Sequence, residues 1–135
     1  MKKTLLTLAA AAAALAPAQA RSPDPAKGER QLAQTLEGRV AGEPVDCIDL
    51  HRVRSSRIIN RTAIVYDSGG TLYVNRPRSG AESLKDWDIM VTRPFGSRLC
   101  RVDTVQMVSP GSHMLSGIVF LGDFVPYKRT ERASR

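Results

Sequence analysis

The chain has 135 residues, with 20 Lys and Arg against 13 Asp and Glu, giving a formal net charge of +7. That length supports one domain with one core and not two. Two His, one Trp and three Phe are too few for an imidazole-rich metal centre and leave little aromatic surface for stacking nucleic-acid bases.

Residues 1–20, MKKTLLTLAAAAAALAPAQA, have the layout of a cleavable export signal. Lys2 and Lys3 form a positive start, Leu5 to Leu15 an apolar core, and Ala18-Gln19-Ala20 the small-x-small site, so cleavage is expected after Ala20. The apolar run is about 12 residues, short of the roughly 20 a membrane-spanning helix needs. No later segment is long and apolar enough to cross a membrane, and no Cys follows the cut to carry a lipid. The expectation is a periplasmic or secreted protein with no transmembrane segment. The signal holds two of the basic residues and none of the acidic ones, so the mature chain of 115 residues carries +5.

Residues 21–39 read as a polar leader and a helix. Asp24-Pro25 is a helix start, Leu32 and Leu36 fall one turn apart, and Gly38 is a stop, which predicts a helix over 25–37. From Val45 onward the pattern changes to short apolar runs broken by turn residues about every 8 to 12 positions, the spacing of an all-β domain. Strands are expected near 45–53, 57–60, 62–67, 71–76, 88–93, 100–108 and 117–125. The clearest hairpin joins Thr62–Tyr66 to Thr71–Asn75 through Asp67-Ser68-Gly69-Gly70. Ala81 to Trp87 suggests a short helical turn. Trp87, Phe120 and Phe124 are expected as the large core fillers among Ile, Val and Leu. The β domain is expected over 40–127, and the basic stretch 128–135 as a disordered tail. The fold class expected is mainly β: a small antiparallel barrel or sandwich of about six to seven short strands with one N-terminal helix.

Cys47 and Cys100 are the only two cysteines. In an exported chain an even count reads most simply as a disulfide, the rival being two buried free thiols. No Gly-x-Ser-x-Gly elbow is present, and His113 sits in a Gly/Ser/Pro turn, so no catalytic nucleophile is assigned. His51 and His113 alone make no metal site, and no cofactor is expected. Asp86 and Asp88 flank Trp87 and would share one face of a strand, the geometry of a carboxylate pair and equally of a solvated edge. Arg52, Arg54, Arg57 and Arg61 form the densest basic run. Arg52, Arg54 and Arg57 are candidate anion-binding residues, with lipid headgroups or acidic polysaccharide of the envelope as partners. Nucleic acid is not expected, for lack of interleaved aromatics and because of the export signal. The rival reading of the arginines is a solvated polar face.

In order, Cys47-Ile48, Arg57-Ile58-Ile59-Asn60, Thr62–Tyr66, Tyr73-Val74-Asn75, Leu99-Cys100 and Leu121-Gly122-Asp123-Phe124-Val125-Pro126-Tyr127 form a pattern over roughly 40–127. It resembles a family of small exported Gram-negative bacterial proteins built on a domain of unknown function. Chains of that pattern often carry two further cysteines near the positions of Ala81 and Phe120. Their joint absence here implies that those two pair with each other, which leaves Cys47 with Cys100. The resemblance implies no activity, cofactor or partner. The leading expectation is therefore a non-catalytic structural or binding domain. The alternatives are an envelope-polymer enzyme using carboxylates such as Asp86 and Asp88, and a binder of anionic envelope material through the arginines and the tail.

Overall fold

The computed structural model describes residues 24–131. The expected signal with its cut after Ala20, the leader before Asp24, and residues 132–135 of the expected tail lie outside the described residues. The fold is mainly β, with one helix and ten strands in three antiparallel sheets.

The helix α1 spans Pro25–Thr35. Asp24 caps it, accepting the Ala26 N–H at 2.9 Å, and Pro25 occupies the first turn, where its missing N–H costs nothing. Leu32 is buried one turn beyond buried Gly28, so these two positions define the packed face. The helix backbone lies so close to the turn at Asn60–Thr62 that a Cβ on Gly28 would overlap the Thr62 hydroxyl.

The strands are β1 (Arg39–Ala41), β2 (Cys47–Asp49), β3 (Ser55–Ile59), β4 (Ala63–Ser68), β5 (Thr71–Asn75), β6 (Ile89–Thr92), β7 (Arg98–Cys100), β8 (Thr104–Val108), β9 (Leu115–Phe120) and β10 (Phe124–Arg129). A five-stranded sheet has the order β1-β10-β5-β4-β3; β2 pairs with β7, and β6, β8 and β9 form the third sheet. The predicted hairpin is β4–β5. Its tip is Gly69-Gly70, with φ of 61° and 93°, a conformation that glycine adopts without the Cβ penalty.

Because side chains alternate across a strand, the register divides the large sheet into two faces. Arg57, Val65, Val74 and Val125 are aligned on one face. There Leu32 of α1 packs with Ile59, Ala63, Val65 and Val74. The opposite face aligns Ser56, Tyr66, Tyr73 and Pro126. From it Ile58, Ile64, Tyr66 and Phe124 meet Ile48, Leu99, Val105, Met107, Val119 and Leu121 of the two smaller sheets, forming the main core. The molecule is thus layered as helix, sheet and paired small sheets.

Cys47 and Cys100 are direct partners across β2 and β7 and form a disulfide. The bonds from Arg101 N–H to Asp46 O and from Leu50 N–H to Ser97 O flank the pair. Cys47 and Cys100 therefore stand at a non-hydrogen-bonded position, where facing side chains come closest.

Several expectations need correcting. Trp87 is 63% exposed and Phe120 40% exposed; only Phe124 of the three expected fillers is buried. Tyr66 takes part of their place, its ring centroid 5.9 Å from that of Phe124, and burial pushes its phenol up. Phe120 is exposed because none of the described residues covers the outer face of the β6–β8–β9 sheet, which also carries Ile89, Leu115 and Ile118. The strand expected at 45–53 stops at Asp49, whose carboxylate caps a 3-10 turn at Leu50–Arg52. The one expected at 100–108 breaks at Arg101–Val102, and that at 117–125 is divided between β9 and β10. Lys128 and Arg129, expected in a disordered tail, instead extend β10 and pair with Val40 and Arg39 of β1. The short strand β1 supplies the hydrogen-bonding edge that holds them.

Candidate functional site

The 3-10 turn is fastened from below and leaves its polar residues outside. Leu50 and Val53 pack against the main core, the Asp49 carboxylate accepts the His51 N–H at 3.0 Å, and Arg54 N–H donates to Asp67 O at 2.8 Å. His51, Arg52 and Arg54 are consequently exposed on a short backbone segment pinned at each end.

These residues form one wall of a cleft of about 660 Å³. The facing wall comes from the large sheet. Ser68, Thr71, Tyr73 and Lys128 belong to the face opposite α1, by the pairings Ser68–Thr71, Tyr66–Tyr73 and Tyr127–Leu72. Cys47 and Ile48 line the cleft beside the disulfide, and Gly69 lines it at the hairpin tip. The cleft's charged residues are Arg52, Arg54 and Lys128 against Asp49, with His51 beside them. Asp49 approaches Arg52 at 4.0 Å, so one cation is partly balanced while Arg54 and Lys128 add a positive surplus. Hydroxyls of Ser68, Thr71 and Tyr73 add donors that can bind an anion alongside the cations.

Of the three candidate arginines, the fold brings Arg52 and Arg54 together and sends Arg57 elsewhere. Arg57 is aligned with Val65 on the α1 side of the sheet and borders a separate groove with Thr35 and Leu72. Part of this signal lay in the spacing: residues three apart on an extended chain point to opposite sides, so Arg57 departs from Arg54, whereas Arg52 reaches the cleft through the 3-10 turn and not through strand alternation. Lys128 was expected only as part of a basic disordered tail; its place at the cleft follows from the pairing of β10 with β1 and β5.

Asp86 and Asp88 do not form a pair. Asp88 N–H donates to Lys85 O in a turn, so the segment is not the strand on which the two would share a face. Asp88 is buried and accepts the hydroxyl of Ser116, whereas Asp86 is exposed and its backbone N–H donates to Asn60 Oδ1. His113 lies in an exposed turn with φ of 56°. Among the described residues no group of three or more His, Cys, Asp or Glu converges as metal ligands, and no helix is long and apolar enough to cross a membrane.

A second cleft of about 610 Å³ lies between the start of α1 and the segment carrying Trp87. Lys27, Arg61 and Lys85 there are mixed with Asp24 and Glu82. Asp24 is bound by Arg30, whose guanidinium holds the carboxyl below its ordinary range. This lining sets three cations against two carboxylates, a smaller surplus than the three against one beside the disulfide.

No protein-family model, curated protein or solved structure matches the chain.

Proposed function

We propose that this chain is an exported, non-catalytic binding domain, akin to the small Gram-negative exported family it resembles, and that it binds anionic envelope material in the cleft beside Cys47–Cys100. The observation that carries the reading is the convergence of Arg52, Arg54 and Lys128 from two distant segments on one concave, hydroxyl-lined surface. Cations gathered in a concavity focus positive potential and raise local anion concentration more than scattered surface charges do. The disulfide fits a protein working in an oxidising compartment. Its place at the cleft gives the site a rigid edge, so little ordering cost falls on binding.

The reading is tested with two probes, polygalacturonate and vesicles of phosphatidylglycerol in phosphatidylcholine. Binding should weaken as salt rises, because the interaction is electrostatic and exposed. The triple variant Arg52→Gln/Arg54→Gln/Lys128→Gln should lose affinity by at least tenfold, while Arg57→Gln, on the other face, should bind like the wild type. Equal losses in the triple variant and in a triple variant of distant basic residues would sink the cleft as the site.

A further inference from the structure

We infer that the cleft belongs to a membrane-docking surface in which Phe95 enters the headgroup region of an anionic bilayer. The inference rests on the cleft's reading as an anion site and narrows it to one source, the lipid headgroup.

The side chain that prompts it is the most exposed apolar one described. Phe95 is 99% exposed, at the tip of Arg93-Pro94-Phe95-Gly96-Ser97-Arg98, the turn between β6 and β7. Gly96 has φ of 74°, which gives the turn its sharp reversal. A wholly exposed phenyl ring is unfavourable in water and favourable at the boundary between headgroups and acyl chains.

The turn's surroundings identify the apolar medium. Arg93 and Arg98 flank the ring and are both exposed. A protein partner that buried Phe95 in an apolar pocket would have to desolvate or pair both guanidinium groups. An anionic leaflet satisfies them with phosphates while taking up the ring. The turn also lies beside the cleft. Arg98 is the cross-strand partner of Asp49, and the next bond along, from Leu50 N–H to Ser97 O at 2.8 Å, ties the turn to the segment bearing His51 and Arg52. The turn therefore sets Arg93 and Arg98 beside the apolar tip and joins, through Asp49 and Leu50, the segment whose Arg52 and Arg54 line the cleft. Interfacial binding scales with the apolar area buried plus the electrostatic attraction to anionic lipids, and this turn supplies both terms.

The test uses Phe95→Ser and the Arg52/Arg54/Lys128 triple variant against both probes named above. Phe95→Ser should bind phosphatidylglycerol vesicles about tenfold more weakly and polygalacturonate as the wild type does. The triple variant should lose both. As an independent readout, Trp87→Phe/Phe95→Trp should show a blue-shifted emission with anionic vesicles and none with polygalacturonate. Unchanged vesicle binding by Phe95→Ser, together with unshifted emission, would overturn the membrane inference and leave the anion cleft standing. Retention of both ligands by the triple variant would instead remove the cleft, and the membrane inference with it.

Discussion

Asn75, at the end of β5, and Gly122, just before β10, bind each other twice: the Asn75 amide nitrogen donates to Gly122 O at 2.7 Å, and Gly122 N–H donates to Asn75 Oδ1 at 3.0 Å. Asn75 is completely buried, and its pairing satisfies the loop that turns β9 into β10. The same loop explains part of the Leu121–Tyr127 motif. Leu121 and Phe124 fill the core, and Gly122 is required because a Cβ there would overlap Arg76 O.

Asn75→Ala should therefore destabilise the fold by about 2–3 kcal/mol, since it strands a buried donor and acceptor of Gly122. Denaturant unfolding measures this directly. A cost under about 0.5 kcal/mol, the size of an ordinary surface substitution, would contradict the pairing.

Gly28→Ala gives a second check with an unusual sign. In an exposed helix this change gains about 1 kcal/mol. Here the new Cβ would meet the Thr62 hydroxyl and lie 2.9 Å from Asn60 O, a backbone atom that cannot swing aside. A net loss of about 1–3 kcal/mol is expected, as for other overpacked contacts. Added stability would show that α1 does not sit on the β3–β4 turn.

The disulfide encloses a long loop, its cysteines 53 residues apart. Loop-closure entropy gives it about 4 kcal/mol of stabilisation. The Cys47→Ser/Cys100→Ser variant should unfold at a markedly lower denaturant concentration. Intact mass of the wild type should rise by about two daltons on reduction, one hydrogen per sulfur.

Glu29 on α1 grips Arg76 at the end of β5 with two hydrogen bonds, of 2.7 and 3.0 Å. The Arg76 guanidinium holds the Glu29 carboxyl below its ordinary range. A lowered folded-state pKa adds stability that is present above the unfolded value and lost as pH falls through the folded value. Both side chains are more than half exposed, so the pair is screened and Glu29→Gln should cost only about 0.5 kcal/mol at neutral pH. That difference should vanish in acid, below the carboxylate range; a difference independent of pH would assign it to packing.

What the sequence made legible follows from local chemistry. Asp24-Pro25 begins a helix cheaply, Gly69-Gly70 suits a tight hairpin, and the even count of two cysteines reads as a cross-link. What stayed hidden depends on partners far along the chain. Arg39–Ala41 is too short to show alternation and becomes a strand only because β10 lies beside it. Lys128 reaches the cleft for the same reason. Trp87 looks like core by residue type, yet its turn faces outward, and Tyr66 is buried because its strand position aligns it with Tyr73 on the core face. Two of the site's three cations, Arg52 and Arg54, were readable as neighbours in sequence. The separation of Arg57 from Arg54 needed only the period of an extended strand.

The central claim is that Arg52, Arg54 and Lys128 act as one anion site. Equilibrium binding to polygalacturonate, measured for each single Gln variant and for the triple variant at two salt concentrations, tests it most directly. Each single change should weaken binding, the triple change should abolish most of its salt dependence, and Arg57→Gln should do neither. Wild-type affinity and salt dependence in the triple variant would contradict the claim.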